Sequence, residues 1–227
     1  MSSRSIQSAI RHLKAQGIVF EEGLSETELV KVEGICNCRL PPDLRQFLKS
    51  SLPVSGGFPN WRSDSEIALR RLLDRPWAGI KFDIEHNGFW ADAWGSRPQV
   101  SMDAIAKAQP CFTGAPVLIP IRSNHYIPAF PAAEDNPIFS VRQSDISIGR
   151  DNLTSYLTEF PKVAKDHQSS RSVPFWSAVA KESRIKVPNL SSDHVGHPDE
   201  YEELRKAVES AGYWAEASTK RNCARLA

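Results

Sequence analysis

Apolar residues change their spacing twice along this chain. Ile6, Ala9, Ile10 and Leu13 recur every three or four positions, as do Leu40, Leu44, Phe47 and Leu48, while Ile67, Leu69, Leu72 and Leu73 spread over one broad face. That is the period of helices with one buried side. Near residue 80 the spacing drops to two. Ile80, Phe82 and Ile84 alternate with Lys81, Asp83 and Glu85, and Asn87-Gly88 then reads as a hairpin turn. Val117–Ile121, Tyr126–Phe130 and Ile138–Val141 read as further strands. Leu153, Tyr156, Leu157 and Phe160 return to helical spacing. Helices, then antiparallel strands, then helices is the order of an α+β fold, not of a parallel sheet. The expected architecture is an antiparallel sheet of about five to six strands flanked by N-terminal and C-terminal helices.

Local chemistry marks several boundaries. In "LSETEL", Ser25 is placed as an N-cap with Glu28 three residues on, and Leu24 and Leu29 flank them as a hydrophobic staple. In "RLPPDLRQFL", Pro42 can open a helix because first-turn amides are unpaired anyway, and the residue before each proline is pushed out of the helical region. The pair therefore separates two helices. "SSLPVSGGFPNWR" reads as a loop from its Gly, Pro and Ser content, and "MDAIAKAQ" as a short helix. "KDHQSSRSVP" is a polar linker candidate, dividing the chain into a domain at 1–165 and an extension at 166–227. Within that extension "PFWSAVAKES" can form a helix, and residues 198–214 carry an amphipathic one.

With 227 residues the chain can bury a core without disulfide staples. Twenty-eight basic residues against 27 acidic ones leave a formal charge of +1, which excludes nucleic-acid binding by bulk charge and names no other partner. No stretch has the length of a membrane span, and the N-terminus lacks the apolar run of a signal peptide. Scattered cysteines at 36, 38, 111 and 223 then read as reduced thiols, and the expected location is cytoplasmic.

Residues with chemical potential are few. Asp83 and Glu85, two apart on an expected strand, would share a face and could work as paired carboxylates; equally, they could face water while Phe82 and Ile84 take the core. His125 could join them, which defines a small hydrolase using Asp83, Glu85 and His125 as acid/base groups. No nucleophile motif accompanies it, and no glycine-rich phosphate loop is present. Cys36-Asn37-Cys38 lacks a second pair at zinc spacing, and His194 and His197 lack a nearby thiol, so neither a metal nor a cofactor is expected. Aromatics point elsewhere. Trp61, Trp77, Trp90 and Trp94 fall in one stretch with Arg62, Arg75 and Arg97, and Trp and Arg are enriched at binding hot spots, although Trp also fills cores. Trp61, Arg62, Trp90, Trp94, Arg97 and Tyr126 are the candidate partner contacts, in a groove of hairpin, strand ends and loops.

A capped "LSETELVKVE", then "CRLPPDLRQFL", then a Gly-rich loop before a strand-rich region resembles the SMI1/KNR4 family of the SUKH superfamily. Leu40-Pro41-Pro42-Asp43-Leu44-Arg45-Gln46-Phe47-Leu48 fits that family's Leu-Pro helix opening. "FPNWR", "FDIEHNGFWADAWGSRP", "PVLIPI", "HYIPAFP" and "NPIFSVRQSDISIGRDNLTSYLTEF" look like its further landmarks, in the same order, over about residues 18 to 160. The resemblance implies a single α+β domain without enzymatic activity that binds another protein, a toxin in bacterial immunity or a partner in fungal cell-wall signalling. A weaker alternative gives partner recruitment to the helix at 198–214.

Overall fold

The double proline behaves as its chemistry requires. In the computed structural model, which describes residues 3–159 and 171–186, Pro41 is the N-cap and Pro42 the first residue of helix α3 (Pro42–Ser50). Before it stand α1 (Ser3–Ala15), strand β1 (Phe20–Glu22) and α2 (Glu26–Cys36). The capping box of α2 is complete: the Glu28 amide donates to Ser25 Oγ and the Ser25 amide to Glu28 Oε2. Leu24 and Leu29 are buried beside it, as a staple should be. Residues 51–53, expected as loop, instead form β2 (Ser51–Pro53), which pairs antiparallel with β1.

Then follow α4 (Glu66–His86), a 3-10 turn at Asp92–Trp94, α5 (Ser101–Thr113), β3 (Leu118–Arg122), β4 (His125–Pro128), β5 (Ile138–Arg142), β6 (Asp145–Arg150), α6 (Leu153–Glu159) and α7 (Trp176–Lys186). The protein is α+β. Its main sheet is a four-stranded antiparallel meander in the order β3-β4-β5-β6, with β1-β2 as a separate two-stranded sheet, so the sheet is smaller than the five to six strands expected. Strand β6 is one that the reading of apolar spacing did not single out.

Side chains alternate across the meander and meet a different apolar cluster on each face. Ile119, Ile121, Ile127 and Ile138 pack with residues of α1, α2, α3 and α6. Leu118, Tyr126, Phe139, Val141 and Ile146 pack with α5, α7 and the Trp90–Trp94 segment. Helix α4 joins both, through Leu69 and Leu73 on one side of Pro76 and Trp77, Ile80 and Ile84 on the other. The described residues up to Ser183 belong to one compact unit, and Val173, Trp176, Val179 and Ala180 belong to its second cluster. The boundary expected at 165/166 falls among residues outside the described set, as does the amphipathic helix expected at 198–214.

The largest correction concerns residues 80–88. They form no strand or hairpin; α4 continues through Pro76 for 21 residues. Ile80 and Ile84 are four apart, so the same residues that alternate also fall on one helix face, and both are fully buried. Asn87-Gly88 ends the helix. Gly88 has φ +66, and the Phe89 amide returns to the Asp83 carbonyl at 2.9 Å. Ile67, expected on the buried face, is 68% exposed.

Gly79 lets α4 approach the β5–β6 turn closely. A Cβ there would lie 2.6 Å from Gln143 Cα in the β5–β6 turn. On a free helix, alanine for glycine gains about 1 kcal/mol. Against backbone the overlap costs about 1–3 kcal/mol, so Gly79→Ala is expected to lower the urea midpoint. A raised midpoint would mean that α4 does not approach the turn this closely.

Candidate functional site

The expected aromatic groove is inside the protein. Trp61, Trp90, Trp94 and Tyr126 are 4%, 7%, 7% and 0% exposed, so the structure does not present them to a partner as anchors. Nor do they gather in one place: Trp61 belongs to the cluster under α1–α3, and the other three to the cluster under α5. Trp90 and Trp94 meet edge to face at 5.2 Å, and Trp90 Nε1 donates to the Gly95 carbonyl at 2.6 Å. The same size that suits a large aromatic to an interface suits it to filling the space between a sheet and three helices.

The two candidate arginines are structural ties. Arg62 donates Nε to Glu28 Oε1 at 2.6 Å, Nη1 to Glu21 Oε2 at 3.0 Å, and Nη2 to the carbonyls of Glu22 and Gly23 at 3.2 Å. It locks the β1–α2 connection to the loop before α4. The Arg62 guanidinium, with the Ser25 amide and hydroxyl, holds the Glu28 carboxyl down at about 2. Arg97 donates to the Ile84 carbonyl at 2.9 Å, placing a cation at the C-terminal end of α4, where the helix dipole favours it.

The alternative acid–base set does not converge. Asp83 and Glu85 lie two apart on a helix, not a strand, and positions i and i+2 do not face each other. Asp83 is buried and accepts from Asn87 Nδ2 at 2.6 Å and from the Ser144 amide at 2.8 Å, which pins α4 to the β5–β6 turn. His125 precedes Tyr126 on β4 and points to the opposite face, against Tyr156 at 5.2 Å between ring centroids. Asp83 belongs with the Tyr126 face. The sheet stands between the carboxylate and the imidazole.

What sequence reasoning passed over is the polar end of the His125 face. Arg122 pairs with His125, His125 with Ser140, and Ser140 with Ser147. Asn124 Nδ2 donates to Ser140 Oγ at 2.8 Å. Burial, then the nearby Arg122 charge, pushes the His125 imidazole down to about 4, so it is neutral at physiological pH. Burial also raises the Tyr156 hydroxyl to about 12. The strand register assembles this row, since its members come from four different strands. Among the described residues no group of three or more His, Cys, Asp or Glu is placed to hold a metal ion, and no helix is long and apolar enough to cross a membrane. His194 and His197 lie outside the described residues.

Compared with known proteins, the chain matches no family model, no curated sequence and no solved structure.

Trp90→Ala should destabilise the fold by about 3–5 kcal/mol, read as a lowered denaturation midpoint, because it empties a packed site. An unchanged midpoint would place Trp90 outside the core. Glu28 generates a pH prediction. Its folded pKa lies below the unfolded value of 4.5, so its contribution is complete above pH 4.5 and is lost as pH falls toward 2. Glu28→Gln should therefore flatten the loss of stability between those pH values. Identical acid profiles for wild type and variant would remove the Arg62–Glu28 tie from the account.

Proposed function

We propose that the chain is a non-catalytic protein-binding module of the SMI1/KNR4 kind, acting as an immunity-type or regulatory/scaffold protein. The observation that carries this reading is where the ordered landmarks fall. Leu40, Leu44, Phe47 and Leu48 of the Leu-Pro helix, Trp61 of "FPNWR", Trp90 and Trp94 of the next landmark, and Ile119 and Ile121 of "PVLIPI" are all buried. Landmarks that are buried in chain order, in the two apolar clusters of one α+β fold, support kinship of fold, and the family's function follows from that kinship as a proposal. A cytoplasmic location belongs to the same reading, and it is consistent with Cys36, Cys38 and Cys111 being thiols outside any disulfide.

The partner surface in this reading lies outside the tryptophan cluster. Val30 on α2 and Ile67 on α4 are 60% and 68% exposed. Arg62 reaches Glu28 and Arg70 Nη1 reaches the Ile35 carbonyl, two ties that bring the first turn of α4 alongside α2. Exposed apolar side chains on adjacent helices suit a protein partner, a toxin or a signalling component, better than a small polar substrate. The hydrolase alternative requires Asp83, Glu85 and His125 at one pocket, which the sheet prevents.

The test is affinity purification from the source cell, followed by reconstitution with the purified partner. Wild type should form a stoichiometric complex, and Val30→Asp/Ile67→Asp, which alters exposed positions only, should bind about tenfold more weakly or worse. Recovery of no stoichiometric protein would sink the module reading. Equal binding by wild type and variant would move the surface elsewhere.

A further inference from the structure

The polar end of the His125 face gathers arginines around two buried polar atoms. Residues paired across strands share a face, and the register shift between Pro120 and Arg122 lets Arg122 follow Ile121 on the His125 side, so Arg122, His125, Ser140 and Ser147 stand in one row across the meander, with Arg142 two residues beyond Ser140 on the same side. Gly149 keeps the floor low beneath the imidazole, since a Cβ there would already touch His125 Cδ2 at 3.6 Å. Arg150, opposite Ile138 in the register, adds a third guanidinium from β6, and Tyr156 of α6 covers the imidazole.

Two polar atoms in this row, His125 Nδ1 and Tyr156 Oη, are buried without a well-formed hydrogen bond, and the Arg122 guanidinium approaches the Tyr156 hydroxyl. Tyr156 as a whole is 6% exposed. Buried polar atoms are almost always paired, so two such atoms on touching rings call for an explanation. The hydroxyl is a donor, and Nδ1 is a donor in one tautomer of the neutral ring. Both can therefore serve an acceptor. The surroundings supply the opposite charge to an anionic one: Arg122, Arg142 and Arg150 all oppose protonation of His125. Acids are near two of these cations. Glu159 Oε2 is 3.3 Å from Arg150 Nε, and Asp145 faces Arg142 in the register. Arg122 donates Nε to the Gly56 carbonyl, and opposite it in the register stands the imidazole itself. Guanidinium forks from three strands, with a hydroxyl and an imidazole N–H, match an acceptor with several oxygens pointing in different directions, which phosphate offers and a carboxylate does not.

We propose that His125, Tyr156 and the arginines at 122, 142 and 150 form a binding site for a phosphate group, taken either as free inorganic phosphate or as phosphate carried on a side chain. The site goes beyond the protein-binding reading and does not depend on it, because inorganic phosphate alone can test it.

The experiment titrates the full chain with inorganic phosphate, and separately with blocked phosphoserine and blocked serine, at constant ionic strength. Calorimetry gives the affinity, and the His125 side-chain nitrogen resonances report protonation and tautomer. Saturable one-to-one binding is expected, with the His125 pKa rising from about 4 as the bound anion offsets the arginine charges. Tyr156→Phe keeps the packed ring, and Arg142→Gln changes an exposed position, so both should fold; each should weaken binding by about tenfold, as for one lost charge-assisted hydrogen bond. Tighter binding of blocked phosphoserine than of phosphate identifies a side-chain phosphate as the source, and the reverse identifies the free ion. The proposal is overturned if neither phosphate species saturates, if blocked serine binds as well as its phosphorylated form while inorganic phosphate does not bind, or if both variants bind like wild type.

Discussion

The hydroxyl of Tyr126 reaches the carbonyl of Leu72 at 3.2 Å, and much of the architecture hangs on that contact. Pro76 stands four residues beyond Leu72 inside α4 and has no amide to offer that carbonyl. A proline in a helix interior costs about 3 kcal/mol, part of it the orphaned acceptor. Here the sheet supplies the missing donor. Burial raises the Tyr126 pKa to about 12, so the hydroxyl keeps its proton across the physiological range. Among the described helices α4 alone contributes to both apolar clusters, and it changes from one to the other at Pro76. A helix ending there would leave Trp77, Ile80 and Ile84 without a scaffold beneath α5.

Other residues with the chemistry of a binding site serve as structure in the same way, by satisfying backbone carbonyls. Trp and Arg are versatile because one end is apolar or planar and the other makes directed hydrogen bonds. In this chain the apolar ends fill the two clusters and the polar ends satisfy backbone carbonyls: Trp90 to Gly95, Trp176 Nε1 to Pro116, Arg97 to Ile84, Arg62 to Glu22 and Gly23. What is left outside the two clusters is of another kind. Apolar residues are left exposed on α2 and α4, and one end of a sheet face carries cations around buried polar atoms.

A meander separates its residues by parity. His125 and Tyr126 are neighbours in the chain, yet one looks toward α6 and the other toward α4. Asp83 anchors α4 on the Tyr126 side through Ser144. Any reading that joins Asp83 to His125 needs the two side chains on one face, and strand alternation forbids it. The residues that do join His125 come from strand register: Arg122 meets it across the two-residue turn, and Ser140 and Ser147, distant in the chain, are brought level by pairing.

The amino-acid sequence by itself determined the local events. A serine and a glutamate at capping-box spacing, a proline at the first turn, and apolar residues every three to four positions depend only on neighbours in the chain, and α1, α2, α3 and α6 appear where those signals stand. The α+β order followed from the same signals. Residues 80–84 satisfied two periods at once, because positions four apart share both a strand face and a helix face, and local spacing had no means to choose. Tertiary structure chose, through the Tyr126 hydroxyl that lets α4 pass Pro76 and the Asp83 carboxylate that fastens its end to the β5–β6 turn. It also decided which tryptophans are buried and which arginines surround His125, since both depend on what packs opposite, and only the folded chain brings those partners together.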